Sequence, residues 1–218
     1  MNLKLLLMKL HGKKVILSLI LTIVFSSCIS LTVEYPEITL YQLTQDSYPT
    51  IIDKPLNGSL LIRDFTIASQ FDTDHLFADQ GVNQIKRYYY HRWSTDFSDL
   101  ATDFFVDRYS EKGIFRGGVV KSSTMLVPDY ILEGHITDLM AYNYDEDSEI
   151  KNYVYLSINF QFIRKEVEKT GLVTIFNKSY YSIIERPDNS VATIVPAYSK
   201  AILQISDSLI TDIIKAVQ

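Results

Sequence analysis

Apolar and polar positions alternate along much of the chain, and the clearest alternation lies at 152–164. Alternate side chains from Val154 to Phe162 are apolar, whereas those between them are tyrosine, serine or amide side chains. A period of two with one apolar face predicts a half-buried strand. Comparable runs predict strands at 39–43, 59–67, 86–93, 114–121, 129–144 and 172–185. The links at 145–149 and 166–171 are short and charged, which predicts antiparallel hairpins.

Two segments carry the helical period instead. Apolar residues recur at spacings of three and four over 97–105, and Gly113 follows, so we predict a helix over 95–112. Pro196 suits the first turn of a second helix that closes the chain. The predicted buried stripe of this helix comprises Tyr198, Ile202, Ile205, Leu209, Ile213 and Val217. The segment 68–83 is polar, and we predict a loop there.

These elements predict a single α+β domain, with two helices packed on one face of an antiparallel sheet. We place this domain at 58–218, after a tether with one short strand at 28–57 and a signal peptide at 1–27. Three prolines punctuate the tether, and Asn57-Gly58 closes it with a turn signal. A domain of about 190 residues buries roughly 70% of its unfolded surface, so it needs neither disulfide nor metal.

The N-terminus differs in composition from the rest of the chain. Four lysines and no acidic residue accompany an apolar run at 15–25, and Ser26-Ser27 leads directly to Cys28. Together these features are typical of an export signal. The apolar run is too short for a membrane-spanning helix, which takes roughly 20 residues. Either Met1 or Met8 is the start of this signal.

Cys28, the only cysteine, ends this signal. The stretch Phe25-Ser-Ser-Cys28 resembles a bacterial lipobox, which implies that Cys28 becomes the acylated first residue, carrying palmitate-type chains. The alternative is a chance cysteine in an ordinary signal or anchor. Each buried CH₂ contributes about 0.8 kcal/mol, so two or more acyl chains hold a protein stably on a membrane. Ile29 stands where an Asp would suggest inner-membrane retention, so resemblance to other lipoproteins favours the outer membrane, facing the periplasm.

Charge and reach refine this expectation. Removal of the signal takes the net charge from −5 to −9. An acidic domain is expected to avoid nucleic acid and bare anionic lipid surfaces, so its attachment must come from the acyl chains. Between Cys28 and Ile38 the chain spans at most about 35 Å. The domain is therefore expected to sit close to its membrane.

The sequence offers no convincing catalytic constellation. No G-x-S-x-G elbow and no phosphate-binding loop occurs, so we predict a protein that is not an enzyme and has no cofactor. Asp72-Thr-Asp-His75 mimics a metal-ligand cluster, but no second histidine or cysteine stands at a suitable spacing. The acidic stretch 145–149 lacks the periodicity of a calcium loop and suits a charged hairpin tip. We therefore predict no metal site.

The order of features resembles the ABC-type transport auxiliary lipoprotein family. The resemblance covers nearly all of 38–218 and rests on Tyr41-Gln-Leu43, the strand Leu60–Phe65, Arg92-Trp93 with a helix directly after it, and Asp129-Tyr-Ile-Leu-Glu-Gly134. It implies an accessory subunit of transporters with mammalian-cell-entry (MCE) domains, which move lipids or other hydrophobic molecules across the periplasm. The implied partners are an MCE-domain or permease component.

The residues that carry this resemblance suggest structural roles first. We expect Trp93 to pack where its strand meets the helix. We expect Gly134 to let a helix approach the sheet closely, and Asp129 to cap a turn.

Three residues of the aromatic strand are our candidate partner-binding site. Tyr88, Tyr90 and Arg92 are expected to share a face, and Tyr and Arg are enriched at interfaces. A half-exposed strand would explain the tyrosines equally well.

The leading hypothesis is therefore a non-enzymatic scaffold, anchored through Cys28, that assists a lipid-type transporter. Pairing of sheet edges between copies could add a homo-oligomer. The alternatives are a lipoprotein that binds a hydrophobic ligand itself in an apolar cavity, and an assembly factor for another outer-membrane machine. An envelope hydrolase is a weaker alternative, because no residue set argues for it.

Overall fold

The computed structural model describes residues 35–45, 50–81, 83–121, 127–146, 149–166 and 171–218. In these segments the helices are α1 (Phe97–Glu111) and α2 (Ile194–Val217). The strands are β1 (Thr39–Tyr41), β2 (Leu60–Ile62), β3 (Thr66–Ile67), β4 (His75–Asp79), β5 (Ile85–Trp93), β6 (Val119–Lys121), β7 (Tyr130–Glu146), β8 (Glu149–Lys165) and β9 (Leu172–Glu185). Residues Glu37–Gln218 form one compact unit.

The last three strands form an antiparallel meander. Strand β7 pairs with β8 along its whole length, and β8 pairs with β9. The alternation that predicts β8 holds in the structure, because Val154, Leu156, Ile158, Phe160 and Phe162 are all fully buried. Both predicted hairpins are confirmed.

The other side of β7 is lined by strands that run parallel to it. Strands β2, β3 and β4 each pair with β7 in parallel, and β2 also pairs in parallel with β6. Strand β1 joins β5 in parallel. The sheet is therefore a mixed, nine-stranded, curled half-barrel. Our prediction of an antiparallel sheet with two helices on one face is wrong.

The error has a physical cause. A hairpin is signalled by the short loop that joins its strands, whereas a parallel pair needs a long crossover. Within residues 60–79, the short strands β2, β3 and β4 each pair with β7. The chain between these strands and β7 is a long crossover that contains α1. Their distant partner leaves no trace in the local pattern.

Two element boundaries also differ from the prediction. The predicted loop at 68–83 contains β4, where Leu76, Phe77 and Ala78 are buried. The predicted strand at 114–121 shortens to β6, because the chain turns at Gly117 and Gly118, and Gly118 has a φ of 85°. Both predicted helices are confirmed. The first begins two residues later and ends one residue earlier than predicted. In the second, five of the six residues of the predicted stripe are buried, and Val217 is half-buried.

Asp129 ties the beginning of β7 to the beginning of β2. Its Oδ2 accepts hydrogen bonds from the Ser59 backbone N–H at 2.8 Å and from the Ser59 hydroxyl at 3.0 Å. This contact spans 70 residues of sequence, so Asp129 joins two distant segments rather than only capping a local turn.

The core centres on a ring that lies directly against Gly134 in β7. A Cβ atom at this position would come within 2.7 Å of Phe65 Cδ1. The Phe65 ring also contacts Phe105 of α1 at a centroid distance of 5.3 Å and Phe160 of β8 at 5.6 Å. The element that approaches Gly134 is thus the Phe65 side chain, not the helix that we expected, and the helix packs on the far side of that ring.

Polar contacts link the two helices. Arg108 is 4% exposed, and its guanidinium donates to Asp207 Oδ1 at 2.7 Å; Lys112 Nζ donates to the same oxygen at 3.0 Å. The Tyr109 hydroxyl donates to the Ser206 carbonyl at 3.1 Å. Desolvation raises the pKa of Asp207, but the hydrogen bonds from Arg108 and Lys112 outweigh it, so that the pKa lies below its usual value.

Substitution Gly134→Ala tests the Phe65 contact. We expect it to lower the free energy of unfolding by about 1–3 kcal/mol, because an added methyl group overpacks a tight core. The double variant Gly134→Ala with Phe65→Leu should lose less than the sum of the two single variants, since the smaller side chain makes room. Urea unfolding measures all three, with Ser179→Ala on exposed β9 as control. Strict additivity would refute the contact.

Substitution Asp207→Asn tests the link between the helices. Because the folded pKa of Asp207 is lowered, its stabilisation is present above the ordinary carboxyl pKa and is lost as pH falls through the folded pKa. The variant should be less stable than the wild type at neutral pH, and the difference should shrink below about pH 4. Thermal unfolding across pH measures this, with exposed Asp53→Asn as the matched control. A difference that stays constant with pH would contradict the ion pair.

Candidate functional site

A bulge in β5 shapes the aromatic strand that contains our candidate residues. His75 of β4 pairs with Arg92, but the next residue, Leu76, pairs with Tyr88. Residues 89–91 therefore have no register partner in β4. The bulge presents Tyr89 to solvent, where its side chain is 64% exposed.

The bulge changes which of the three predicted residues share a face. Tyr88 lies opposite Leu76, which is buried, so its ring points towards the core side and meets the edge of the His91 ring at 6.2 Å. Tyr90 is exposed, and Arg92 is half-buried. Strict alternation would put all three on one face, whereas the structure keeps only Tyr90 and Arg92 together. Their role in binding a partner stays a prediction.

Beyond the bulge, β5 pairs with β1. Leu40 lies beside Arg92, and Tyr41 lies beside Trp93. The Tyr41 hydroxyl is 2.9 Å from His91 Nδ1, and burial raises the pKa of Tyr41. These contacts attach the segment before β2 to the domain.

Trp93 occupies the core position that the sequence predicts. It is 2% exposed, and its ring contacts Phe97 in the first turn of α1 at 5.0 Å and Tyr198 of α2 at 5.9 Å. Trp93 therefore packs in a cluster of aromatic rings at the junction of β5 and α1, and its role is structural.

In the stretch that mimics a metal site, Asp74 contacts both the neighbouring His75 and Arg92. Asp74 Oδ1 lies 2.7 Å from His75 Nδ1, and Asp74 Oδ2 accepts from Arg92 Nη1 at 3.3 Å. The Arg92 Nε–H donates to the Tyr89 carbonyl at 3.1 Å. Among the described residues, no group of three or more His, Cys, Asp or Glu side chains could hold a metal ion.

A groove of about 430 Å³ crosses the polar side of the sheet near β3, β7 and β8. Its side chains already bind one another: Arg63 pairs with Glu133, and the Thr66 hydroxyl is 2.7 Å from His135 Nδ1. Asn159, Gln161 and Asn177 line the rest. Walls of this chemistry do not suit an apolar ligand.

Arg186 is buried without a carboxylate in its hydrogen bonds. It is 5% exposed and donates to the carbonyls of Tyr142 and Ser190 at 3.0 and 3.2 Å and to the Thr193 hydroxyl at 3.2 Å. Burial lowers its pKa. Arg186 thus clamps the loop before α2 onto β7, a structural role that the sequence pattern did not reveal.

Strand β9 presents a second surface, which sequence reasoning missed. In the part of the chain that the structure describes, β9 pairs only with β8, so its other edge carries no strand. Tyr181 and Ile183 are 67% and 53% exposed, and the Tyr155 ring lies 6.0 Å from that of Tyr181. Its opposite face binds α2, with the Tyr180 hydroxyl donating to Asp212 at 2.7 Å. A long edge with exposed apolar side chains is a template for pairing.

The signal at 1–27 and Cys28 lie outside the described residues. Within the described residues, no helix has both the length and the apolar character needed to cross a bilayer.

Solved structures share this fold. A protein of the DUF330 family from Xanthomonas campestris matches with a TM-score of 0.61 and 14% identity, over 79% of this chain and 92% of its own. An uncharacterised protein matches with a TM-score of 0.60 and 14% identity, over 82% of this chain and 99% of its own. A lipoprotein from Neisseria meningitidis matches at a TM-score of only 0.33, with 11% identity over 68% of this chain and 98% of its own, which supports no argument. No family model and no curated protein matches the sequence.

Proposed function

We propose that this chain is a non-enzymatic lipoprotein of the cell envelope, an accessory component of an ABC/MCE-type transporter of lipids or other hydrophobic molecules. Acyl chains on Cys28 anchor it, and the domain faces the periplasm, with the outer membrane favoured by Ile29. Its role is to scaffold the transporter. An MCE-domain or permease component is the partner.

The observation that carries this proposal is the fold shared with the DUF330 protein, a family often named ABC-type transport auxiliary lipoproteins. The sequence adds independent support, because a lipobox-like stretch precedes the domain and the motif-bearing segments fall on β1, β2, β5 and β7. The fold and the signal-like N-terminus therefore both support this proposal.

The packing of the core favours a scaffold over a carrier of hydrophobic ligand. A carrier needs an apolar cavity of several hundred cubic ångströms between sheet and helices. In this protein, Phe65, Phe105 and Phe160 form a continuous ring cluster in that layer, with Tyr109 against Phe105 at 5.5 Å. Side chains occupy the space that a ligand would need.

Strand β9 is the surface that we assign to the transporter component. Its exposed Tyr181 and Ile183 would lie beside the side chains of an added strand, and each such cross-strand pair contributes roughly 0.2–1 kcal/mol. The main chain of the free edge would supply hydrogen bonds to the same partner. Pairing of this edge with a second copy is the alternative that yields a homo-oligomer.

Co-purification of the full-length protein from detergent-solubilised membranes tests the proposal. We expect the wild type to recover an MCE-domain or permease protein. The double variant Tyr181→Ser with Ile183→Ser should recover roughly tenfold less, because each 1.4 kcal/mol of lost binding is a factor of ten.

The control Ile51→Ser removes an apolar side chain that is 71% exposed but lies away from β9, and it should leave recovery unchanged. Repeated recovery of the wild-type protein alone, or only with copies of itself, would contradict the proposed function. Equal recovery by the wild type, the double variant and the control would show that the docking surface does not include Tyr181 and Ile183 of β9.

A further inference from the structure

We propose that a second surface of this domain lies against the lipid bilayer to which the chain is anchored. This surface, the β1–β5 strip, consists of the exposed apolar and aromatic side chains Ile38, Leu40, Ile85, Tyr89 and Tyr90. The inference rests on the proposed lipid anchor and adds to it how the domain is oriented. It assigns the exposed part of the predicted partner site to lipid rather than to a protein.

The position of the strip in the chain is the first argument. Ile38 follows Cys28 by ten residues, a span of at most about 35 Å. Leu40 then pairs directly beside Arg92 of β5. The strand next to the anchored end is therefore β5, and the tether keeps this edge of the sheet near the headgroups.

The chemistry of β5 is the second argument. Its nine residues include three Lys or Arg, three Tyr and one Trp, and no acidic residue. After removal of the signal the chain carries a net charge of −9, so this strand stands out from the rest. Tyrosine rings suit the boundary between headgroups and acyl chains, and nearby basic side chains are attracted to anionic headgroups.

The exposure of these side chains is the third argument. Tyr89, Leu40 and Ile85 are 64%, 61% and 64% exposed, although all three are large and apolar or aromatic. The bulge at 89–91 turns Tyr89 outward. Arg87 is exposed on the same strand and is placed to meet phosphate groups.

A bilayer explains the combination better than a protein partner does. Tyr and Arg are also enriched at protein interfaces, but the centre of such an interface is depleted of lysine and of charged side chains in general. In β5, Arg87 and Arg92 stand among apolar and aromatic side chains, an arrangement that suits a surface that meets headgroups and acyl chains together.

Tryptophan fluorescence of the full-length, lipidated protein tests this inference. Tyr89→Trp places a probe in the strip, and Tyr181→Trp places one on β9 at a closely matched exposure of 67% against 64%. Trp93 is buried and gives the same background in both variants. Each is reconstituted into vesicles of phosphatidylethanolamine and phosphatidylglycerol with or without brominated acyl chains.

We expect brominated lipid to reduce the added emission of Tyr89→Trp to about half and to leave that of Tyr181→Trp unchanged. Equal quenching of both probes, or none of Tyr89→Trp while the protein still floats with the vesicles, would overturn the inference and leave the proposed anchor intact. If the emission of Tyr89→Trp changes only when transporter protein is added, the strip contacts a protein, and this result would also overturn the inference. Loss of flotation would refute the anchor and the inference together.

Hydrogen exchange of the unaltered protein provides a test that needs no substitution. Moving the lipidated protein from detergent into the same vesicles should slow exchange at 38–41 and 89–92 and leave β9 unchanged. Slowing that is uniform along the chain, or confined to β9, would contradict the orientation.

Discussion

The contact between the Phe65 ring and the bare backbone of Gly134 is the constraint on which the rest of the fold depends. A Cβ atom at position 134 would lie only 2.7 Å from the Phe65 ring. Because glycine has no Cβ, the ring can fill the gap between β7, β8 and α1. Phe65 lies in the break between β2 and β3, so this contact also fixes where the segment 60–79 runs along β7. The curled, mixed sheet agrees with that placement. Within the described residues the strand path ends at β1 and at β6, and β9 pairs only with β8.

The sequence predicts those parts of the fold that depend on neighbouring residues. The alternation from Val154 to Phe162 specifies β8, and the short charged links specify its hairpins. The parallel pairing of β2, β3 and β4 with β7 could not be predicted from the local pattern, because the paired residues are more than sixty positions apart. Strand β4 was missed for a related reason: Leu76-Phe-Ala78 is too short to outweigh the polar residues around it.

The candidate site shows the same division. Trp93 could be placed in the core from its position between strand and helix, and the structure confirms it. The grouping of Tyr88 with Tyr90 and Arg92 assumed strict alternation, which the bulge at 89–91 breaks. The exposed edge of β9 carried no signal, because tyrosine and isoleucine stand on both of its faces and only the position of α2 decides which face is covered.

We propose separate tasks for three parts of one chain: Cys28 as the anchor, the β1–β5 strip as the surface that faces lipid, and β9 as the surface that meets the transporter. All of them depend on the proposed acylation of Cys28, because the charge of the acidic domain alone would not favour a membrane. The intact mass of the protein extracted from membranes tests this most directly. We expect a chain that begins at residue 28 and carries acyl chains on that residue, with membrane attachment lost in Cys28→Ser. A mature chain whose Cys28 is an unmodified thiol would contradict it.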